Sequence, residues 1–144
     1  MEALSEYYKF KIFTKQEMEK DFFDDVDIIA VPGGIGDADS YKYLLQKEHT
    51  RTIRRFVENG GRYLGICMGA YWAGSNYLNI LDSVDAVQYI TRPATDTRRP
   101  HAKHLPVNWQ GKHTHMYFYD GCALVGDRRK FHTVATYANG DAMA

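Results

Sequence analysis

The chain has 144 residues, a length that predicts one domain with a substantial buried core. Lysine plus arginine and aspartate plus glutamate each total 18, and this balance argues against nucleic acid as a partner. No apolar stretch approaches the roughly twenty residues of a membrane span, and two cysteines are too few for a disulfide framework, so we predict a cytoplasmic protein without a membrane anchor.

The first half of the chain alternates predicted strands and helices. Residues 8–13 alternate apolar and charged side chains, which predicts a strand, and a capping-box pattern at Thr14 predicts a helix over 15–23. Residues 27–31 form an apolar run that is typical of a buried strand and stops at Pro32-Gly33-Gly34. The remaining predicted elements are a short helix over 40–46, a longer helix ending at Gly60, a strand over 62–66 and a helix ending near Asn76. Such alternation indicates a parallel sheet with helices on both faces.

The second half has a different pattern. Residues 91–101 form a polar loop bounded by prolines; its three arginines suit an anion, but a solvated loop is the favoured interpretation. The pattern predicts strands over 105–109, 113–119, 123–125 and 132–137, with a hairpin signal at Asn139-Gly140.

The most informative stretch is Gly65-Ile66-Cys67-Met68-Gly69, which lies between a predicted strand and a predicted helix. Glycines two positions before and after a cysteine are typical of a nucleophile elbow, a turn too tight for larger side chains. The turn places the sulfur at the N-terminal end of the helix, where a thiolate is stabilised. We therefore predict Cys67 as a nucleophile, against the alternative of a buried structural cysteine between incidental glycines. Cys122 follows a turn in an apolar strand and is predicted to be inert.

Three landmarks occur together: Pro32-Gly33-Gly34, the elbow followed by Ala70-Tyr71, and Tyr137-Ala-Asn-Gly140. This combination resembles the class I glutamine amidotransferase-like superfamily, which includes the DJ-1/PfpI proteins. Within it, the chain is most similar to the N-terminal domain associated with biotin-protein ligases, over roughly residues 8–141.

The resemblance implies a flavodoxin-like α/β three-layer sandwich with a mostly parallel sheet and antiparallel strands in the C-terminal half. It implies one domain over 1–144, truncated at both ends. It also implies an oxyanion hole built from the backbone N–H groups of Gly33, Gly34 and Met68.

The base that would serve Cys67 is left open by two departures from the related families. Met68 stands where DJ-1/PfpI proteins have histidine, and the His-x-Glu pair of true glutamine amidotransferases is missing near the C-terminus. The candidates are therefore His101 and His104, in or beside the polar loop, and His115. His115 also forms a His-x-His pair with His113, but no third ligand has suitable spacing, so we expect neither a metal nor a cofactor.

Three functions fit this sequence. The first is a cysteine-dependent amidohydrolase or amidotransferase-like enzyme, in which Cys67 attacks the amide-type carbonyl of a small-molecule substrate. The second is a non-catalytic ligand-binding or regulatory domain, and the third is a redox sensor that oxidises Cys67. Because the His-x-Glu pair is missing, we expect little or no amidotransferase activity from the chain alone. Exposed sheet edges make a homodimer plausible.

Overall fold

The computed structural model describes residues 5–14, 16, 18, 22–34 and 40–144. Within them the helices are α1 (Tyr41–Leu44), α2 (Lys47–Glu58) and α3 (Met68–Trp72). The strands are β1 (Ile28–Val31), β2 (Arg62–Gly65), β3 (Val84–Gln88), β4 (Lys103–Trp109), β5 (Lys112–Phe118), β6 (Cys122–Gly126) and β7 (Ala135–Tyr137). The chain is therefore a mixed α/β protein, as predicted. No helix in these ranges is both long and apolar enough to cross a bilayer.

A parallel strand pair forms the N-terminal half. β1 and β2 pair from Ile28 with Arg62 to Val31 with Gly65, and α2 provides the connection that parallel strands require. The apolar stripe of α2 covers the core, since Ile53 is buried and the ring of Phe56 packs against Phe23 at 5.6 Å. The first core cluster consists of Met18, Phe23, Ile29, Val31, Tyr41, Ile53, Trp72 and Leu78.

The C-terminal half is antiparallel. β3 pairs with β6, and β4 lies between β5 and β7. Ala142 bridges both Leu124 of β6 and Thr136 of β7, so the returning chain joins the two groups of strands. Their core is centred on two stacked rings, Tyr89 and Tyr137, whose centroids are 3.7 Å apart. Strand pairing and aromatic packing therefore organise this half, in contrast to the helix-covered first half.

Most predicted strands and the helix end at Gly60 are confirmed. Gly60 has a φ of +95°, a conformation that suits glycine and ends a helix. The strand predicted over 8–13 is wrong, because no strand among the described residues pairs with it and Phe10 and Ile12 are exposed. The predicted helix over 15–23 lies largely outside the described residues. β3 was missed, and α3 ends at Trp72 rather than near Asn76.

The expectation of a mostly parallel sheet is also wrong for the part of the chain described. Parallel pairing is limited to β1 and β2, whereas the other three strand pairs are antiparallel. The physical reason is the length of the connections. The two residues between β4 and β5, for example, allow only an antiparallel hairpin, because a parallel return needs about a dozen residues or more.

An ion pair attaches the C-terminal turn to the loop after β3. Arg92 donates from Nε and Nη2 to the two carboxylate oxygens of Asp141, at 2.8 and 3.1 Å. The Asp141 side chain is only 14% exposed, and Asn139 also donates to it at 2.9 Å. The hydrogen bond from Arg92 is the main reason why the pKa of Asp141 lies below its usual value. The pair therefore stabilises the fold only while Asp141 is ionised.

We expect Asp141→Asn to lower the free energy of unfolding by about 1–3 kcal/mol at neutral pH. Because the folded pKa of Asp141 is depressed, its contribution is complete above the unfolded pKa of about 4 and is lost as pH falls through the folded value. Urea unfolding at several pH values should show that the free energies of unfolding of the unmodified protein and of Asp141→Asn become equal in acid. Asp82→Asn is the control, because its pair with Lys130 is exposed and contributes little. A constant difference across all pH values would contradict this account.

Candidate active site at Cys67

Cys67 occupies a strained turn between β2 and α3. Its backbone has φ +53° and ψ −112°, in a region that non-glycine residues rarely adopt, and its side chain is exposed. Its carbonyl oxygen accepts from the N–H groups of Ala70 at 2.9 Å and Tyr71 at 3.3 Å, so α3 begins directly after it. The sulfur is therefore presented to solvent at the end of the parallel strand pair.

The glycines around Cys67 are required by close backbone contacts. A Cβ on Gly69 would overlap the carbonyl oxygen of Val31, and one on Gly65 would lie 2.6 Å from the carbonyl oxygen of Gly69. The first turn of α3 therefore rests directly on the ends of β1 and β2. Tyr63 of β2 reinforces this contact, since its hydroxyl donates to the Gly69 carbonyl at 2.7 Å. The predicted glycine pattern thus has a steric cause.

The structure brings together four predicted site residues. A Cβ on Gly33 would lie 2.9 Å from Cβ and 3.5 Å from Sγ of Cys67, so the Gly33 backbone lies against the sulfur. A Cβ on Gly34 would lie 3.8 Å from Cε of Met68, and the hydroxyl of Ser40 also contacts the Met68 sulfur at 3.5 Å. In the part of the chain described, no backbone carbonyl accepts from the N–H groups of Gly33, Gly34 or Met68. Their role as an oxyanion hole stays a prediction.

The sequence did not indicate that Tyr71 and Asp120 lie beside this turn. Tyr71 lies in α3, where its N–H donates to the Cys67 carbonyl oxygen at 3.3 Å, and its hydroxyl donates to the Asp120 carbonyl oxygen at 3.5 Å. Burial is the main reason why the pKa of Tyr71 lies well above its usual value, and the nearby Asp120 carboxylate adds to the rise. Its hydroxyl therefore keeps its proton, which it donates to the Asp120 carbonyl oxygen.

Asp120 has an unusual environment. Its Oδ2 accepts from Nε2 of Gln88 at 3.1 Å, whereas Oδ1 is buried and has no hydrogen-bond partner within the described ranges. A buried carboxylate oxygen without a donor is unfavourable, which sets Asp120 apart from the other described side chains. The position of Tyr71 in the helix that follows the elbow was a usable sequence signal, whereas Asp120 was marked only by its position in a predicted turn.

The three candidate histidines lie on the surface. His101 Nδ1 contacts the Arg99 carbonyl oxygen at 2.9 Å, while His104 and His115 extend from the exposed face of β4 and β5, opposite Tyr117 and Pro106 respectively. No hydrogen bond in the described parts joins any of the three to Cys67. Their role as a base stays a prediction.

The second thiol differs sharply from the first. Cys122 is only 7% exposed, and burial raises its pKa to about 11.

The described residues contain no group of three or more histidine, cysteine, aspartate or glutamate side chains that would suit a metal. Two surface clefts, of about 480 and 1000 Å³, lie elsewhere and neither is lined by Cys67. The turn at Cys67 is the candidate active site, because it combines a nucleophile with backbone N–H groups and neither cleft does.

Comparisons with known proteins agree with this architecture. Residues 1–82 match the family described as biotin-protein ligase, N terminal, which is more than half of the chain. A solved crystal structure of a glutamine amidotransferase superimposes with a TM-score of 0.62 and 20% identity, over 97% of this chain and 74% of that one. At this identity the likeness shows a shared fold. No curated protein sequence matches. The chain belongs to the biotin-protein ligase N-terminal family and has a glutamine amidotransferase-like fold.

Proposed function

We propose that Cys67 is the nucleophile of a glutamine amidotransferase-like site that acts on an amide-type or ester-type carbonyl. The observation that carries the proposal is the positive φ of Cys67 with the Gly33 backbone packed against its sulfur. A strained, exposed cysteine at a strand-to-helix turn is the geometry of a nucleophile elbow. The proposal includes two structural assignments: the turn at Cys67 is a nucleophile elbow, and the fold is a flavodoxin-like three-layer sandwich.

The reaction follows from the groups around the sulfur. The Cys67 thiolate attacks the carbonyl carbon and forms a tetrahedral oxyanion, which the N–H groups of Gly33, Gly34 and Met68 stabilise. The oxyanion then re-forms the carbonyl, the bond to the leaving group breaks, and an amine leaves with a proton from solvent. Water attacks the resulting thioester, which releases a carboxylic acid and regenerates the thiol.

Two neighbours of Cys67 have positioning roles in this proposal. The Tyr71 hydroxyl, which keeps its proton, exchanges its long hydrogen bond to the Asp120 carbonyl oxygen for one to the thiolate or to the substrate carbonyl. The buried Oδ1 of Asp120, which lacks a donor among the described residues, accepts from an N–H group of the substrate. The missing partner of Asp120 favours a substrate with an amide or amine group close to its reacting carbonyl.

The test is acylation by p-nitrophenyl acetate, followed by mass spectrometry of the intact protein. We expect a burst of p-nitrophenol close to one equivalent, with the acetyl group on Cys67, because the ester needs no protonation of its leaving group. Cys67→Ala should abolish the burst, whereas Cys122→Ala should retain it. Asp120→Asn should leave acetylation by this small ester unchanged but weaken any turnover of an amide such as glutamine. Acetylation of Cys67 no faster than in urea-unfolded protein would refute the nucleophile assignment.

A non-catalytic ligand-binding domain is the second candidate. It is favoured by the exposed positions of His101, His104 and His115, none of which is hydrogen-bonded to Cys67 in the described structure. A thiolate without a neighbouring acid or base turns over amides poorly, since the leaving amine needs a proton. If Cys67 is acetylated by the ester but releases no ammonia from glutamine, the site is a reactive pocket rather than an amidase.

A further inference from the structure

We propose that a cleft between α1 and α2 binds a small phosphate-bearing polyanion. This α1–α2 cleft has a volume of about 480 Å³, which is within the range of small-molecule sites. It is lined by Tyr41, Lys42, Leu45, Gln46, Lys47, Thr50, Arg51, Arg54 and Tyr77. It does not include Cys67, so this proposal is independent of the proposed reaction.

The α1–α2 cleft concentrates positive charge in a protein whose formal net charge is zero. Four of its lining residues are basic, and none of those described is acidic. Lys47, Arg51 and Arg54 follow one another at positions i, i+4 and i+7 of α2 and therefore lie along one face of the helix. Glu48 lines the other cleft only, whereas Arg51 lines both clefts. Three cations along one helix face, in a cleft with no acidic residue in its described lining, favour a ligand with several negative charges over a single carboxylate.

One of these cations is held in place by the protein. Arg54 donates from Nε and Nη2 to the Leu78 carbonyl oxygen, at 3.0 and 2.8 Å, and is partly buried. These bonds fix the guanidinium plane of a residue that lines the cleft and leave Nη1 without a hydrogen bond to the described residues, since a guanidinium carries five N–H donors. A planar, pre-oriented guanidinium suits phosphate oxygens, whereas a freely rotating surface lysine gives only a point charge.

The floor of the α1–α2 cleft is packed rather than mobile. Tyr41 is buried, and its hydroxyl forms a hydrogen bond with Oγ1 of Thr50 across the base of the cleft. Its ring also contacts Trp72 and Tyr77, with centroid distances of 5.4 and 5.2 Å. A cleft that is already formed in the free protein spends less binding energy on ordering its side chains. The fixed Arg54 and the packed Tyr41 distinguish this cleft from a fully solvated cationic helix face.

Inorganic pyrophosphate is the probe, titrated calorimetrically and by NMR at low and at physiological ionic strength. We expect one site with a Kd in about the micromolar to millimolar range, weaker at higher salt, and backbone shifts centred on Thr50 and Tyr77. Lys47→Gln combined with Arg51→Gln should weaken binding by about tenfold or more. The matched control is Arg99→Gln with Lys112→Gln, which removes the same two side-chain types from exposed positions outside the cleft and should preserve the affinity.

Equal weakening by both double variants would show nonspecific attraction and overturn the proposal. Absence of saturable binding at low ionic strength would do the same. Thermal unfolding of each variant shows whether weaker binding results from loss of the site or from loss of the fold. Arg54→Lys is a second test, because it keeps the positive charge. We expect Arg54→Lys to weaken binding, because lysine cannot hold the Leu78 carbonyl and still present an oriented donor pair.

Discussion

Cys67 is expected to react with iodoacetamide at least about a hundred times faster than Cys122 in the folded protein near neutral pH. Cys67 is exposed, whereas Cys122 is 7% exposed and its pKa is raised by burial to about 11. Only the thiolate attacks, and a thiol of that pKa is ionised in about three molecules in ten thousand at pH 7.5. Labelling followed by mass spectrometry of the two cysteine peptides gives both rates.

The pH dependence of the Cys122 rate provides an internal check. Because its folded pKa is raised, its rate should increase about tenfold per pH unit up to about pH 11, provided that the fold persists. In urea both thiols should react at similar rates, since the burial that separates them is lost. Comparable rates in the folded protein would contradict the exposed position of Cys67, and with it the proposed nucleophile.

Gly69→Ala is expected to destabilise the protein by about 1–3 kcal/mol, although alanine is the better helix former. The added methyl group would overlap the Val31 carbonyl oxygen and lie 2.8 Å from the carbonyl carbon. Both atoms belong to the backbone of a paired strand, so neither can move aside without disturbing the β1–β2 pairing. Urea unfolding should show a lower midpoint with an unchanged slope.

Ala70→Gly is the control for Gly69→Ala, because it changes the neighbouring residue of the same helix in the opposite direction. It should cost about 0.5–1 kcal/mol from backbone entropy, without a steric clash. If Gly69→Ala proved as stable as the unmodified protein, the first turn of α3 would not rest on β1, and the steric basis of the Cys67 turn would be wrong.

Local patterns predicted those parts of the fold whose cause is local. The apolar run over 27–31 and the glycine at position 60 each indicate an element without reference to distant residues, and both are confirmed. The alternation over 8–13 failed because a strand also needs a paired neighbour, which local periodicity cannot reveal. β3 was missed although it pairs along its whole length with β6, because that pairing depends on residues almost forty positions away.

In the candidate site, too, some features were predicted from local sequence and others depend on the tertiary structure. By itself, the sequence determined that Cys67 is flanked by glycines between a strand and a helix and that a Gly-Gly turn follows another strand, because both are short-range steric requirements. Only the tertiary structure decided that Gly33 lies against the Cys67 sulfur, since the parallel register of β1 and β2 brings the two turns to one edge. It also decided the position of Asp120 beside Tyr71, because that contact joins segments 49 residues apart. Tertiary packing alone determines contacts of this range, since no periodicity or spacing in the sequence encodes them.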